Sequence, residues 1–365
     1  MIGVLEATLT KGEFEERFVA LHKQLFASTE FAFNDVCVHV FRPPAGMYQV
    51  DHSFVHDGTN FHLFYCTGNM KNTEEWLKRF RAGDMDGANE VCLEPGNGHA
   101  VGPTLFDLKF KEHVFFPPQG RFDLASRGVC AIFRFGRKWG QLYDVRGENN
   151  FFGMSLAWSD DLDHWDPDPG NPYLKPPAWA KEGSTCKDPH IMWYQGVYLI
   201  YYIVMDRDGY CSVALATTED WKRFTDCGAV FKAAVMMRGT MGIESPCVVW
   251  RNGMWHLFIT YGPGLWHAVS PSPAGFVAPR IGSGWNVGTG FYFMGPFHAT
   301  EIIEHNGDWW LTTDRKEETR RLNRAAGRLC YRGSYADEKT LEEGIYLSHL
   351  RWQGDQPILE MPVRR

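Results

Sequence analysis

The sequence predicts an all-β fold built from repeated strand hairpins, because one local pattern returns along the chain. At residues 188–202 an acidic residue opens a short apolar strand, a Gly turn follows, and the second strand is rich in Tyr and Ile. Residues 51–65 and 244–258 have nearly the same pattern, and each of these hairpins also begins with a carboxylate. Elsewhere, short apolar or alternating runs are interrupted by Gly, Pro, Asn and Asp, which is typical of β proteins.

Two further units complete the repeat. Residues 122–143 and 298–311 again show a strand, a Gly turn and an aromatic strand, so the units begin near residues 51, 122, 188, 244 and 298. Several units end in a small-residue strand and a polar turn closed by an aromatic residue, most clearly at 155–165 and 212–221. Units of four strands repeated in this way predict a five-bladed β-propeller, a fold that leaves only short, protected strand edges.

The chain divides into two predicted parts. Residues 1–40 form a lead-in segment, and the apolar spacing within 8–30 predicts a short amphipathic helix packed on the main body. Residues 41–365 form the propeller. We expect the ring to close at 344–348, with help from residues 35–42.

A second helix is expected at residues 72–80, with Asn72 or Thr73 as its N-cap. The stretches 67–121 and 265–297 are rich in Phe, Pro and Gly. They are expected to be long loops that wall a central pocket and set its specificity. Deep walls of this kind favour an enzyme that acts on the ends of small oligosaccharides.

Composition and charge exclude several classes of function. The formal net charge of −7 argues against a nucleic-acid partner, because phosphate contacts need clustered Lys and Arg. No segment approaches about 18 apolar residues, and residues 1–16 lack a basic stretch followed by an apolar run, so no membrane association is expected. The nine cysteines form no CxxC pair and no zinc-like spacing. They indicate buried thiols in a reducing compartment, so a cytoplasmic location is expected.

The repeat is expected to bring three carboxylates together. The innermost strand of each propeller blade runs along the central axis, so equivalent positions of these strands converge at one end of the channel. We expect Asp51, Asp188 and Glu244 to hold equivalent positions in blades one, three and four. Clustered like charges raise at least one pKa, which supplies the protonated acid and ionised base of glycoside hydrolysis. Taken singly, each acid has an alternative role in capping a turn.

Four motifs carry a family resemblance: Val50-Asp51-His52-Ser53, Lys187-Asp188-Pro189-His190, Glu244-Ser245-Pro246 and Gly295-Pro296-Phe297-His298-Ala299. On these motifs, over roughly residues 48–315, the chain resembles the five-bladed propeller glycosidases, which include family 43 arabinanases and β-xylosidases and family 32 fructosidases. The resemblance implies that Asp51 is the general base, or the nucleophile in a family-32-like reaction. It implies that Asp188 orients substrate and tunes pKa values, and that Glu244 is the general acid.

The motifs also depart from both families. The fructosidase pattern has Asn-Asp-Pro-Asn at the first acid, Arg before the second Asp and Cys after the Glu. This chain has Asp51-His52-Ser53, Lys187 and Ser245 at those places. Family 43 often has Asp-Pro at the first acid and Gly after the Glu, and neither is present. The chain therefore resembles a divergent branch between the two families, and the motifs select neither the sugar nor the stereochemistry.

Residues beside the acids are candidates for substrate contacts. Because side chains alternate along a strand, His190 is expected on the same face as Asp188, whereas Lys187 is expected on the opposite face. His52 directly follows Asp51 and reaches the pocket if the strand is irregular there. The alternative for each histidine is a packing role.

Three more candidates lie at blade ends. Arg127 stands near the start of blade two and Arg315 at the end of a blade-five strand. Either binds a sugar hydroxyl or carboxylate, or forms a surface ion pair. The family resemblance also implies that His298 is a channel histidine near a calcium ion or a water cluster, and a hydrogen-bonded histidine without metal is the alternative.

Together these expectations predict a glycosidase that cleaves a furanoside or pentoside bond in a small-molecule carbohydrate, with Glu244 as acid and Asp51 as base. No cofactor is expected, except for a structural calcium ion in the channel. Two alternatives stay open. One is a sugar phosphorylase or transglycosidase on the same fold, and the other is a propeller that binds carbohydrate without turnover.

Overall fold

The computed structural model describes residues 35–84, 87, 91–148, 151–236, 243–261, 264–276, 291–295, 297–315 and 343–364. Within them, β-strands form five sheets arranged as the blades of a propeller, so the predicted fold class is confirmed. The helix predicted at residues 8–30 lies outside the described residues.

The blades follow one another along the chain, apart from the first described strand, β1 (Val38–Phe41), which belongs to blade five. Blade one contains β2 (Met47–His56), β3 (Phe61–Asn69), β4 (Gly96–Gly102) and β5 (Lys109–Phe115). Blade two contains β6 (Ser126–Phe135), β7 (Lys138–Arg146), β8 (Phe152–Ser159) and β9 (Asp166–Pro167). Blade three contains β10 (Cys186–Tyr194), β11 (Val197–Met205), β12 (Tyr210–Thr218) and β13 (Thr225–Met236). Blade four contains β14 (Ile243–Arg251), β15 (Met254–Tyr261), β16 (Gly264–Ser270) and β17 (Phe291–Gly295).

Blade five joins the two ends of the described chain. It contains β18 (Glu301–His305), β19 (Asp308–Arg315), β20 (Gly344–Gln353) and β21 (Gln356–Glu360), with β1 paired to the first part of β20. Val38 lies opposite Leu347, so the ring closes through the two stretches expected to close it. The domain boundary predicted at residue 40 falls inside β1, and residues 38–40 are therefore part of the propeller.

The first strand of each blade lies on the inside of the ring. These five strands, β2, β6, β10, β14 and β18, each contact the first strand of the next blade, and β18 contacts β2. They therefore surround one central axis, as the repeat predicts.

The hydrophobic core lies between the faces of neighbouring blades. β11 has an unbroken apolar sequence because both of its faces are buried. Tyr201 packs in a cluster with Leu257 of blade four, whereas Tyr202 packs in a cluster with Leu142 of blade two. Because successive side chains of a strand point to opposite faces of the sheet, neighbouring residues of β11 pack in two different interfaces between blades.

The Gly turns that mark the repeat are tight hairpin turns. Gln195-Gly196, Asn252-Gly253 and Asn306-Gly307 connect the first two strands of blades three, four and five, and both residues of each pair have positive φ. This is the type I′ geometry, which matches the twist of paired strands and favours Asn-Gly.

The stretches expected to be loops contain regular structure instead. Residues 67–121 include helix α1 (Met70–Arg81), β4 and β5, and residues 265–297 include most of β16 and all of β17. Asn69 Oδ1 accepts a hydrogen bond from the backbone N of Lys71 at 2.8 Å. The N-cap of α1 is therefore Asn69, a few residues before the predicted position.

The eight cysteines in the described part of the chain are free thiols. No helix within the same residues combines the length and the apolar character needed to cross a bilayer.

Replacing Trp221 with Ala should strongly destabilise the propeller. The Trp221 side chain is buried, and its ring stacks on Phe133 of blade two at 3.8 Å between centroids. Loss of such a side chain leaves a cavity between blades and should lower the free energy of unfolding by about 3–5 kcal/mol. Urea denaturation measures the change. Trp193→Ala is the matched control, because Trp193 is 58% exposed and its loss should cost less than about 1 kcal/mol.

Candidate active site

The inner strands β2, β10 and β14 each carry a bulge near their start, where the ladder register shifts. At each bulge one residue has left-handed backbone geometry: φ is 40° at Asp51, 56° at Asp188 and 48° at Ser245. Residues other than glycine rarely adopt this conformation, and it interrupts the normal alternation of side chains. Consecutive side chains at a bulge can therefore face the same side.

The bulges correct two expectations. Asp51 and Asp188 do hold equivalent positions, but the residue of blade four at this position is Ser245. Glu244 stands one residue earlier, where blade three has Lys187, so the predicted equivalence of Glu244 is wrong by one residue. The prediction that Lys187 faces away from Asp188 is also wrong, because the left-handed residue turns both side chains to one side.

Two shared partners link the acids. Ser245 donates its backbone N–H to Asp188 Oδ2 at 3.0 Å and its hydroxyl to Asp51 Oδ1 at 2.8 Å. Lys187 Nζ lies 3.1 Å from Asp188 Oδ2 and 2.9 Å from Glu244 Oε1. The structure therefore brings the three acidic side chains to one place, which we call the acid cluster.

Asp188 is the most buried member of the acid cluster, with 3% of its surface exposed. Burial raises the pKa of Asp188 to about 6; the charges of Asp51 and Glu244 act in the same direction, and the Lys187 ammonium opposes them. Burial alone would lower the pKa of Lys187, but the carboxylates around it raise that pKa well above its usual range. Lys187 is therefore a cation held between acids.

Blade five supports the acid cluster through His298 and Asp314. Asp314 Oδ2 accepts the backbone N–H of Asp51 at 2.9 Å, and Asp314 Oδ1 lies 2.6 Å from His298 Nδ1. His298 Nε2 lies 3.4 Å from Glu244 Oε2. His298 therefore bridges Asp314 to Glu244.

The same geometry bears on the calcium ion expected in the channel. Asp51, His298 and Asp314 place ligand-type atoms within 4.8 Å of one another. Both nitrogens of His298 already face carboxylate oxygens, and calcium takes about six to eight oxygen ligands. His298 therefore does not fit as a calcium ligand.

The other histidine candidates have separate positions. His52 lines the same axial cavity as Asp51, and its Nε2 lies 2.7 Å from Thr312 Oγ1. Burial lowers the pKa of His52 to about 4, so its ring is neutral. His190 is held against blade four, where its Nε2 lies 2.9 Å from the carbonyl oxygen of Val248.

Both arginine candidates are buried, so the alternative prediction that each forms a surface ion pair is wrong. Arg127 donates from Nη1 to the carbonyl oxygen of Asp123. Arg315 ends β19, directly after Asp314, and its own carbonyl accepts from Gln49 Nε2 at 3.1 Å.

Sequence reasoning missed Asp314, Ser245 and Asp144. Asp314 and Asp144 lie on the second strands of their blades, whereas the repeat pattern marks only the starts of first strands. Burial, aided by the charge of Asp188, raises the pKa of Asp144 well above its usual range. Ser245 lies inside the motif Glu244-Ser245-Pro246, but the sequence does not show that a bulge there turns its side chain toward the other acids.

Comparisons with known proteins bear on the fold. No protein-family model matches the chain, and no curated protein matches its sequence. Among solved structures, the GH32 β-fructofuranosidase BmSUC1 of Bombyx mori matches with a TM-score of 0.61 at 15% identity, over 95% of this chain and 70% of that one. Sucrose-6-phosphate hydrolase of Lactobacillus gasseri matches with a TM-score of 0.61 at 14% identity, over 94% and 66% of the two chains.

A third solved structure is the GH43 β-xylosidase/α-arabinofuranosidase CoXyl43 from a compost metagenome, in complex with xylotriose. It matches with a TM-score of 0.55 at 13% identity, over 89% of this chain and 97% of that one. Identities this low show similarity of fold only. The resemblance to families 32 and 43 is therefore confirmed at the level of the fold, since the chain shares their five-bladed propeller.

Proposed function

We propose that the protein is a glycosidase that hydrolyses a furanoside or pentoside bond at the acid cluster. The observation that carries this proposal is the convergence of Asp51, Asp188 and Glu244 on shared partners at one end of the channel. The shared fold supports it, because the matched structures are a fructofuranosidase, a sucrose-6-phosphate hydrolase and a xylosidase/arabinofuranosidase. Its partner is then a small-molecule carbohydrate.

The geometry suits different roles for the acids. The Glu244 side chain is 36% exposed and can reach a leaving-group oxygen, so it is proposed as the general acid. Asp51 is oriented by Ser245 at its carboxylate and by Asp314 at its backbone, which suits a base or nucleophile directed at the anomeric carbon. Asp188 is too buried to be the acid and orients the others through Ser245 and Lys187.

In the proposed reaction Glu244 gives a proton to the glycosidic oxygen while the bond from that oxygen to the anomeric carbon breaks. Asp51 either takes a proton from the attacking water or attacks the carbon itself. The separation of the two carboxyl groups in the substrate complex decides between inversion and retention.

One observation favours a second candidate, a propeller that binds carbohydrate without turnover. Lys187 Nζ lies 2.9 Å from Glu244 Oε1, and a carboxylate paired with an ammonium keeps its negative charge. A general acid has to carry a proton. Hydrolysis therefore requires substrate to open the Lys187–Glu244 pair, whereas simple binding does not.

Glu244→Gln should remove nearly all turnover and leave sugar binding largely intact. The amide keeps the shape of the side chain but cannot donate a proton, and general acid catalysis contributes about 10²–10⁴-fold. The measurement is kcat on aryl arabinofuranoside, xyloside, fructofuranoside and galactoside, together with affinity for the best of these. Parallel assays with and without inorganic phosphate separate hydrolysis from phosphorolysis.

Glu219→Gln is the matched control, because Glu219 is exposed in the turn between β12 and β13. It should leave kcat unchanged. Sugar binding without turnover in the unmodified protein would instead establish the second candidate.

Lys187→Met should move the acidic limb of the pH profile to higher pH. Asp188 has a pKa of about 6, and Lys187 holds that pKa down. Without the ammonium the pKa of Asp188 rises, so Asp188 becomes protonated, and activity falls, at a higher pH. The dependence of kcat/KM on pH measures the shift. Lys187→Arg keeps the charge and should keep the limb in place; equal shifts in both variants would contradict the assignment.

A further inference from the structure

A second group of chemically active side chains lies deeper in the channel than the acid cluster. His190, Cys247 and Glu301 come from the inner strands of blades three, four and five. Each stands two residues after the left-handed residue of its blade, at Asp188, Ser245 and Ala299 respectively. Their ligand-type atoms all lie within 4.8 Å of one another. We call these three residues the lower layer.

His190 presents a lone pair to the lower layer. Its Nε2 lies 2.9 Å from the carbonyl oxygen of Val248, which can only accept, so Nε2 carries the hydrogen. In the neutral ring, a hydrogen on Nε2 leaves Nδ1 unprotonated. Nδ1 faces Glu301 Oε2 at 4.0 Å. A histidine that donates one ring N–H to a backbone carbonyl and presents the other nitrogen is the usual arrangement of a metal ligand.

Glu301 lacks a hydrogen-bond partner for its carboxyl group among the described residues. Its side chain is 17% exposed and lines the axial cavity, and the 4.0 Å to His190 is too long for a hydrogen bond. A buried carboxyl without a donor is unfavourable, and an adjacent cation would relieve that cost.

Cys247 supplies the third ligand-type atom of the lower layer, its sulfur. It is buried, and its Sγ accepts the backbone N–H of Ile302 at 3.4 Å, which directs the sulfur toward the strand that carries Glu301. Cys130 of blade two lines the same cavity as Glu301. Cys130 is not part of the group of ligand-type atoms that lie within 4.8 Å of one another, so the fourth ligand position is left to water.

From this arrangement we propose that His190, Cys247 and Glu301 form a binding site for a zinc-class divalent cation. Thiolate, imidazole and carboxylate together are the ligand set of zinc, whereas calcium and magnesium take oxygen ligands. Ligands of a tetrahedral zinc ion lie roughly 3.3–3.6 Å apart, so the side-chain tips need to close by roughly 1 Å. The site shares no residue with the acid cluster, although Glu301 lines the same axial cavity as Asp51 and Asp188.

Cobalt(II) tests the site, because a thiolate ligand gives it an intense near-ultraviolet absorption band and tetrahedral geometry gives strong visible bands. The full-length protein is stripped with a chelator and titrated with cobalt(II), and zinc(II) is then added in competition. We expect one equivalent to bind with both sets of bands, and zinc to displace cobalt. Saturating zinc should also raise the melting temperature, since a ligand that binds only the native state stabilises it.

Three variants decide the outcome. Cys247→Ser should abolish the near-ultraviolet band, and His190→Gln should weaken cobalt binding by at least about tenfold, with folding of each verified by circular dichroism. Cys186→Ser is the matched control, because Cys186 is equally buried on β10 but outside the lower layer, and it should keep the band. The proposal is overturned if the unmodified protein shows no thiolate band, if the band survives in Cys247→Ser, or if His190→Gln binds cobalt(II) as tightly as the unmodified protein.

Discussion

The arrangement of the channel depends on one backbone feature, the left-handed residue near the start of the inner strands. Each such residue outside glycine costs about 1–3 kcal/mol of local strain. The strain is offset between blades, because Asp51 donates its backbone N–H to Asp314 of blade five and Ser245 donates to Asp188 of blade three. The first contact joins blades one and five and needs the closed ring, whereas the second needs only that blades three and four pack side by side. The acid cluster therefore depends on packing between blades and could not form in an isolated blade.

The acid cluster also depends on the balance of charge around Lys187. The carboxylates of Asp188 and Glu244 lie 3.1 Å and 2.9 Å from Nζ. Buried charges are tolerated only when they are paired, and removal of one partner is costly. The Lys187 ammonium that pairs with Asp188 also lies 2.9 Å from Glu244 Oε1, and a cation at that distance favours the ionised form of a carboxyl. The ion pair that stabilises the free protein thus opposes the protonation of Glu244 that acid catalysis requires. A substrate hydroxyl that replaces Glu244 as a partner of Lys187 would allow Glu244 to take up a proton.

The fold could be predicted from the sequence because hairpin turns such as Asn252-Gly253 recur with apolar strands between them. The convergence of the acids followed from that ring. The hydrogen-bond and ion-pair partners of the acids could not be predicted from the sequence. A bulge leaves the hydrophobic pattern almost unchanged, but it shifts the position of each side chain by one residue, as Glu244 and Lys187 show. The sequence predicts a loop over residues 67–121, the stretch that contains β4, because it is rich in Phe, Pro and Gly. A Cβ on Gly98 would lie 2.1 Å from the Tyr65 ring, so close packing, not turn geometry, requires that glycine.

The bulges also explain why the channel has two chemically different layers. Two residues of strand separate the lower layer from the left-handed positions, which corresponds to roughly 7 Å along the axis. Charges at that distance in a partly buried site interact by about 2 kcal/mol at an effective dielectric constant near 20. A cation held by the lower layer would therefore favour the ionised form of Asp188, as Lys187 does from the other side. The same strand irregularity that gathers the acids thus creates, two residues further on, a position from which their charge can be adjusted.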